Sequence, residues 1–142
     1  MNKKIVLIMR GLPGSGKSTF IEKNFPRAWI CSADDYFNST GNYIFVKKDL
    51  GLAHRRCKNL FQMALENSLH FIVVDNTNTE IWEFETYLQL AKNYSYQAFV
   101  VNLEIDLETA LQRNIHKVPV DKIFDMAERM EKYPGEILLS NN

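Results

Sequence analysis

The sequence predicts an α/β domain, with a parallel sheet of about four or five strands and helices on both faces. Three observations lead there. Short, β-branched apolar runs alternate with amphipathic segments along the chain, which is the pattern of successive βαβ units. The runs are continuously apolar rather than alternating, as strands buried on both faces are. The 142 residues, 46% apolar and 24% charged, suit one globular domain with a real core. That balance excludes a disordered tail, a collagen-like chain and a coiled coil.

The elements follow in order. Residues 4–9 (KIVLIM) form the first strand, and a glycine-rich turn leads to a helix over 17–24. Residues 28–31 (AWIC) make a second strand, and 38–43 (NSTGNY) a loop by composition. Over 47–67, Leu50, Ala53, Cys57, Leu60 and Ala64 recur at helical steps. A third strand spans 71–74. A helix over 80–94 puts Ile81, Phe84, Leu88 and Ala91 on one face, with Thr79 as its expected cap. Glu80 and Glu83 lie in its first turn, where carboxylates suit the dipole. A fourth strand covers 97–103, and a helix over 107–115 follows Asp106 as cap. Pro119 opens a last helix whose inner face carries Ile123, Met126, Ala127 and Met130.

The longest strongly apolar runs, such as 5–9, are five residues, far short of the roughly 20 that a membrane span needs. Lys3-Lys4 before that run imitates a leader, but Arg10-Gly11 is no cleavage site. Cys31 and Cys57 stand in no metal-type spacing, so a reduced, cytoplasmic compartment is expected. No membrane partner and no obligate protein partner is expected. The net charge of zero is a cancellation. Residues 1–58 hold eleven Lys/Arg against four Asp/Glu, and 59–142 hold six against thirteen. Such a molecule carries fields that its net charge hides.

Gly11-Leu12-Pro13-Gly14-Ser15-Gly16-Lys17-Ser18 matches G-x-x-x-x-G-K-[ST] between a strand and a helix. Gly11, Gly14 and Gly16 let backbone wrap a phosphate, and successive N–H groups form an anion nest at the helix start. Lys17 adds a charge at the β- and γ-phosphates, and Ser18 offers a hydroxyl to Mg²⁺. A P-loop NTPase fold that uses ATP with Mg²⁺ is expected, with Ser15 and Thr19 completing the phosphate-binding stretch. Asp75 ends the third strand, where a carboxylate holds the metal or its water, or else caps a turn. Asn76, Thr77 and Asn78 supply polar groups beside it, as caps or substrate contacts. Asp34 and Asp35 follow the second strand, as a base for an acceptor hydroxyl or as turn caps. Arg113, late in its helix, either neutralises transferring phosphates or serves the helix dipole.

Four stretches together carry a family likeness: residues 10–19 (RGLPGSGKST), 32–37 (SADDYF), 74–78 (VDNTN) and 113–116 (RNIH). The chain resembles the P-loop kinases of the polynucleotide 5′-hydroxyl kinase group from Lys4 to Met130. The nearest likeness is the kinase domain of ubiquitin-ligase-binding proteins with an Smr domain, and of their short stand-alone relatives. A bacteriophage polynucleotide kinase is more distant. The resemblance implies one kinase domain over 1–142. Lys17 and Ser18 would bind donor phosphates and metal, Asp34 would be the general base, and Arg113 the lid arginine. Residues 75–78 would line the acceptor side, and the acceptor would be the 5′-hydroxyl of a nucleic acid. A small hydroxyl compound as acceptor, or a nucleotide-binding module with little turnover, are the alternatives. The sequence departs from the phage enzyme at Phe37, where that enzyme has an acceptor-binding arginine. The phage strand-end Asp also aligns nearer Asn76 than Asp75.

His54 borders the apolar stripe of its helix. It is a packed core histidine or, if it faces the cleft, an acceptor contact. Lys47, Lys48, Arg55, Arg56 and Lys58 form a basic stretch that suits a nucleic-acid backbone or a solvated face. Trp29 and Trp82 are expected in the core and are assigned no stacking role.

Overall fold

The computed structural model of the chain describes residues 3–37, 46–114 and 117–140. The predicted loop at 38–43 and the helix end at Ile115, with His116, lie outside the described residues. The order is β1 (Ile5–Arg10), α1 (Lys17–Asn24), β2 (Trp29–Cys31), α2 (Asp34–Phe37) and a 3-10 turn (Lys47–Asp49). Then come α3 (Leu50–Glu66), β3 (Phe71–Asp75), α4 (Ile81–Asn93), β4 (Gln97–Glu104), α5 (Leu107–Gln112), α6 (Val120–Arg129) and β5 (Ile137–Ser140). The strands form one five-stranded sheet in the order β2-β3-β1-β4-β5. Every pairing is parallel.

The continuous apolar runs are explained by burial on both faces. Val6 and Ile8 of β1, Ile72 and Val74 of β3 and Val100 of β4 pack with Cys57, Phe61 and Leu65 of α3 and Phe84 and Tyr87 of α4. The intervening residues Leu7, Met9, Val73, Val101 and Leu103 meet Ile21 and Phe20 of α1 on the other face. That second face is covered only in part. An open groove of about 360 Å³ remains between Phe20, Phe25, Phe71, Phe99 and Ile137.

Several local expectations are corrected. The cap of α4 is Glu80, in a reciprocal capping box with Glu83; the Thr79 hydroxyl instead donates to the Glu83 carboxylate at 2.6 Å. Asp106 does cap α5, accepting from the Thr109 N–H at 2.8 Å. Leu50 lies outside the buried stripe of α3, and Trp29 and Trp82 are 47% and 68% exposed rather than in the core. Helical periodicity finds a face but not how far the neighbouring layer reaches along it. Among the described residues, no helix is long and apolar enough to cross a membrane.

Candidate functional site

β1 delivers the chain from the centre of the sheet into the loop 11–16, and α1 begins at Lys17. Gly14 and Gly16 have φ of +85° and +92°, in the left-handed region that side chains resist. A Cβ at Gly14 would also overlap the carbonyl of Ala110 in α5, so the loop is seated directly against that helix. The Gly11 N–H donates to the Thr77 carbonyl at 3.1 Å, and the Ser15 N–H to the Leu12 carbonyl at 3.0 Å. Lys17 folds back over the loop and donates from Nζ to the Gly11 carbonyl at 2.9 Å. Burial lowers its pKa from the ordinary lysine value, while Asp75 and then Asp34 oppose that shift. The phosphate-loop lysine therefore sits in the field of two carboxylates, Asp75 at the end of β3 and Asp34 at the start of α2.

At the end of β3, Asp75 Oδ2 accepts from the Ser18 hydroxyl at 3.5 Å. Burial raises the Asp75 pKa, Lys17 pulls it back, and Asp34 and Asp35 add to the rise. Two hard oxygen donors side by side fit Mg²⁺, which takes one or two protein ligands and completes its shell with phosphate and water.

Asp34 and Asp35 open α2, which is one helical turn. The Asp34 N–H donates to the Ser32 hydroxyl at 3.2 Å, so Ser32 supplies the cap oxygen there. Phe37 is buried with Ala33 and Ala53; it anchors α2 onto α3 instead of facing an acceptor. Asp35 has a raised pKa, chiefly from burial, with Arg56 opposing.

α3 connects the carboxyl end of β2 to the amino end of β3, so its first turns lie at the same edge of the sheet as the loop. His54 is exposed there, not a packed core residue. Partial desolvation of the ring by its neighbours lowers its pKa, against the fields of Glu83 and Asp34. Arg55, Arg56 and Lys58 are exposed. Arg56 lies in the field of Asp35, and Lys58 in that of His54. Of the basic stretch, Arg56 thus borders the cleft beside Asp35.

The segment after Asp75 is built inward. Asn76 Oδ1 accepts from the Ala33 N–H at 2.9 Å. Asn78, with 2% exposure, donates from Nδ2 to the Met9 carbonyl at 2.7 Å. Both amides are engaged within the protein. Arg113 caps the end of α5 through its N–H to the Thr109 carbonyl and is exposed, one turn beyond the Ala110 that seats the phosphate loop.

One buried element was missed from the sequence. Arg10 is fully buried and donates to the carbonyls of Asn78 at 2.7 Å and Thr79 at 2.8 Å. It pairs with Glu136 at 3.1 Å and lies 4.8 Å over the Phe84 ring. The one hint was a cation wedged between an apolar strand and a glycine loop; its partner is 126 residues away.

Comparison with known proteins fits this construction. Residues 6–131 match the model of the AAA_33 family, an AAA domain. NEDD4-binding protein 2 of Homo sapiens is 36% identical over 138 residues, covering 91% of this chain and 8% of that protein. The 2′,3′-cyclic-nucleotide 3′-phosphodiesterase of Mus musculus is 27% identical over 91% of this chain and 32% of its own length. The chain therefore spans less than a third of the length of these relatives. Among solved structures, a chain of the Pnkp1/Rnl/Hen1 RNA repair complex superposes with a TM-score of 0.75 at 18% identity, over 96% of this chain and 48% of that one. The Mycobacterium tuberculosis APS kinase CysC, in complex with AMPPNP and APS, gives a TM-score of 0.67 at 15% identity over 100% and 91%. With its P-loop between β1 and α1 and its 2-3-1-4-5 parallel sheet, the chain belongs to the AAA_33 family as a P-loop, kinase-like domain.

Proposed function

We propose that this chain is an ATP- and Mg²⁺-dependent phosphotransferase whose acceptor is a hydroxyl, the 5′-hydroxyl of a nucleic acid. The observation that carries the reading is Asp34: a carboxylate at the carboxyl end of the sheet in the electrostatic field of the phosphate-loop lysine. A nucleotide switch has no use for a carboxylate there, whereas a kinase needs one to take the acceptor proton.

In this reading the loop N–H groups and Lys17 hold the β- and γ-phosphates of ATP. Ser18 and Asp75 would hold Mg²⁺, which when bound neutralises charge on those phosphates. Asp34 accepts the proton of the acceptor hydroxyl as its oxygen attacks the γ-phosphorus in line. The bond from that phosphorus to the β–γ bridging oxygen breaks, and ADP leaves. Arg113 closes from α5 onto the transferring group, and Asp35 and His54 line the acceptor side. Positioning and charge neutralisation carry most of the rate.

The nucleic-acid acceptor draws support from the exposed Arg56 of α3 beside Asp35 and from the likeness to a chain of an RNA repair complex. One observation favours a small hydroxyl acceptor instead. Phe37 is buried as an anchor and presents no charge to an acceptor phosphate. Labelled ATP offered with 5′-hydroxyl DNA, 5′-hydroxyl RNA, nucleosides and sugars separates the readings. Label on a polynucleotide end is expected. Label only on small acceptors rejects the nucleic-acid assignment, and label on none returns the chain to a binding module.

A further inference from the structure

We propose that Asn76 is a positioning residue for phosphoryl transfer: its side-chain amide extends the β2–β3 ladder and sets where Asp34 stands relative to Asp75. This rests on the reading of Asp34 as the acceptor base.

The backbone pairing of β2 with β3 ends at Cys31 opposite Val74. Two residues farther along each strand, a side chain replaces the ladder. Asn76 Oδ1 accepts the Ala33 N–H at 2.9 Å, across a sequence gap of 43 residues and in a buried setting. The other end of the amide donates from Nδ2 toward Cys57 Sγ at 3.7 Å. Cys57 is fully buried on α3, so the core of the domain orients the amide and the amide orients the loop. Ala33 directly precedes Asp34, and Asp75 directly precedes Asn76. One hydrogen bond therefore spaces the two carboxylates. The pin on Ala33 needs an acceptor oxygen at this length, which Asn offers and Leu does not.

Two residues on, a second asparagine serves the opposite half of the site. Asn78 donates to the Met9 carbonyl at 2.7 Å, and the carbonyl of Thr77 accepts the Gly11 N–H that opens the phosphate loop. The segment 75–78 is thus pinned to the acceptor loop by Asn76 and, through Asn78 on Met9, to the end of β1 that leads into the donor loop. A residue that merely supports the fold would disturb both halves together. The pins predict separable defects.

The experiment measures labelled-ATP transfer at steady state and amide hydrogen exchange at Ala33. Asn76→Leu is expected to speed Ala33 exchange and lower kcat about 10²-fold, the scale of a 1 Å misplacement, while the KM for ATP stays within about twofold. Asn76→Asp keeps the acceptor oxygen and should recover the protection of Ala33 and turnover to within about tenfold of wild type. Asn78→Gly, which tolerates the φ of +48° there, should raise the KM for ATP instead. Unchanged Ala33 exchange in Asn76→Leu overturns the pin. Faster exchange with unaltered kcat, or equal loss of kcat and ATP affinity with no rescue by Asn76→Asp, overturns the positioning role. A wild-type chain that transfers no phosphate to any acceptor overturns the reading of Asp34 and the positioning role with it. Exchange at Ala33 reports the pin separately, so the two failures are distinguishable.

Discussion

In the donor half of the cleft, residues 10–19 are one unbroken stretch, and their shape is a property of backbone: two left-handed glycines and a lysine returned to its own loop's carbonyls. In the acceptor half, Asp34, His54 and Asn76 come from α2, α3 and the segment after β3, and that half is held by side-chain contacts such as the Asn76 amide on the Ala33 N–H. A backbone-built half keeps its shape through most side-chain changes outside its glycines. A half assembled from side chains loses its geometry when one distant contact goes, although its carboxylates remain.

The strongest test of that contrast removes the base and leaves the donor loop alone. Asp34→Asn is expected to lower phosphoryl transfer about 10²–10⁴-fold with ATP binding retained, measured by labelled transfer beside equilibrium binding. Equal loss of ATP affinity would place Asp34 in the donor half. Next is the anchor beneath the donor loop. Glu136→Ala leaves the fully buried Arg10 without its carboxylate, and the cost of such a stranded charge is about 3–5 kcal/mol. Urea unfolding reads it directly, and a loss below about 1 kcal/mol would mean the guanidinium is satisfied by the carbonyls of Asn78 and Thr79 alone.

Lys17→Ala should cost about 10²–10³-fold in transfer and, unlike Asp34→Asn, should weaken ATP binding as well. Preserved ATP affinity would break the division into halves. The smallest effect concerns the thiol beneath the acceptor side. Burial pushes Cys31 up to about 12, against an ordinary value near 8.5. The unfolded chain therefore releases this proton first, so the thiol's contribution to stability is complete below about pH 8.5 and is lost as pH rises toward 12. Urea midpoints from pH 7 to 11 should fall more steeply for wild type than for Cys31→Ala; parallel curves would remove the effect.

Legibility followed the same division. The span of α1, the glycine-lysine loop and the cap at Asp106 were readable because each depends on neighbours within a few residues. The wrong cap for α4 shows the limit of that reading. Thr79 and Glu80 are both capping candidates, and the choice went to Glu80 through its reciprocal bonds with Glu83, while Thr79 is buried beneath Arg10. His54 could be placed on the border of a stripe but not assigned a side, since that depends on where α2 and α4 pack. Asn76 and Asn78 were visible as polar residues at a strand end. Their inward bonding was not, because their partners lie 43 and 69 residues away.

The sequence by itself determined a parallel α/β domain with a phosphate loop, through hydrophobic runs of strand length and glycines whose backbone freedom no other residue shares. Only the tertiary structure decided that Phe37 is an anchor, that Arg56 of α3 borders Asp35, and that Arg10 is buried against Glu136. Those outcomes depend on which surfaces meet when the sheet and helices pack. Local chemistry limits the candidates for such contacts, and the topology of the whole chain selects among them.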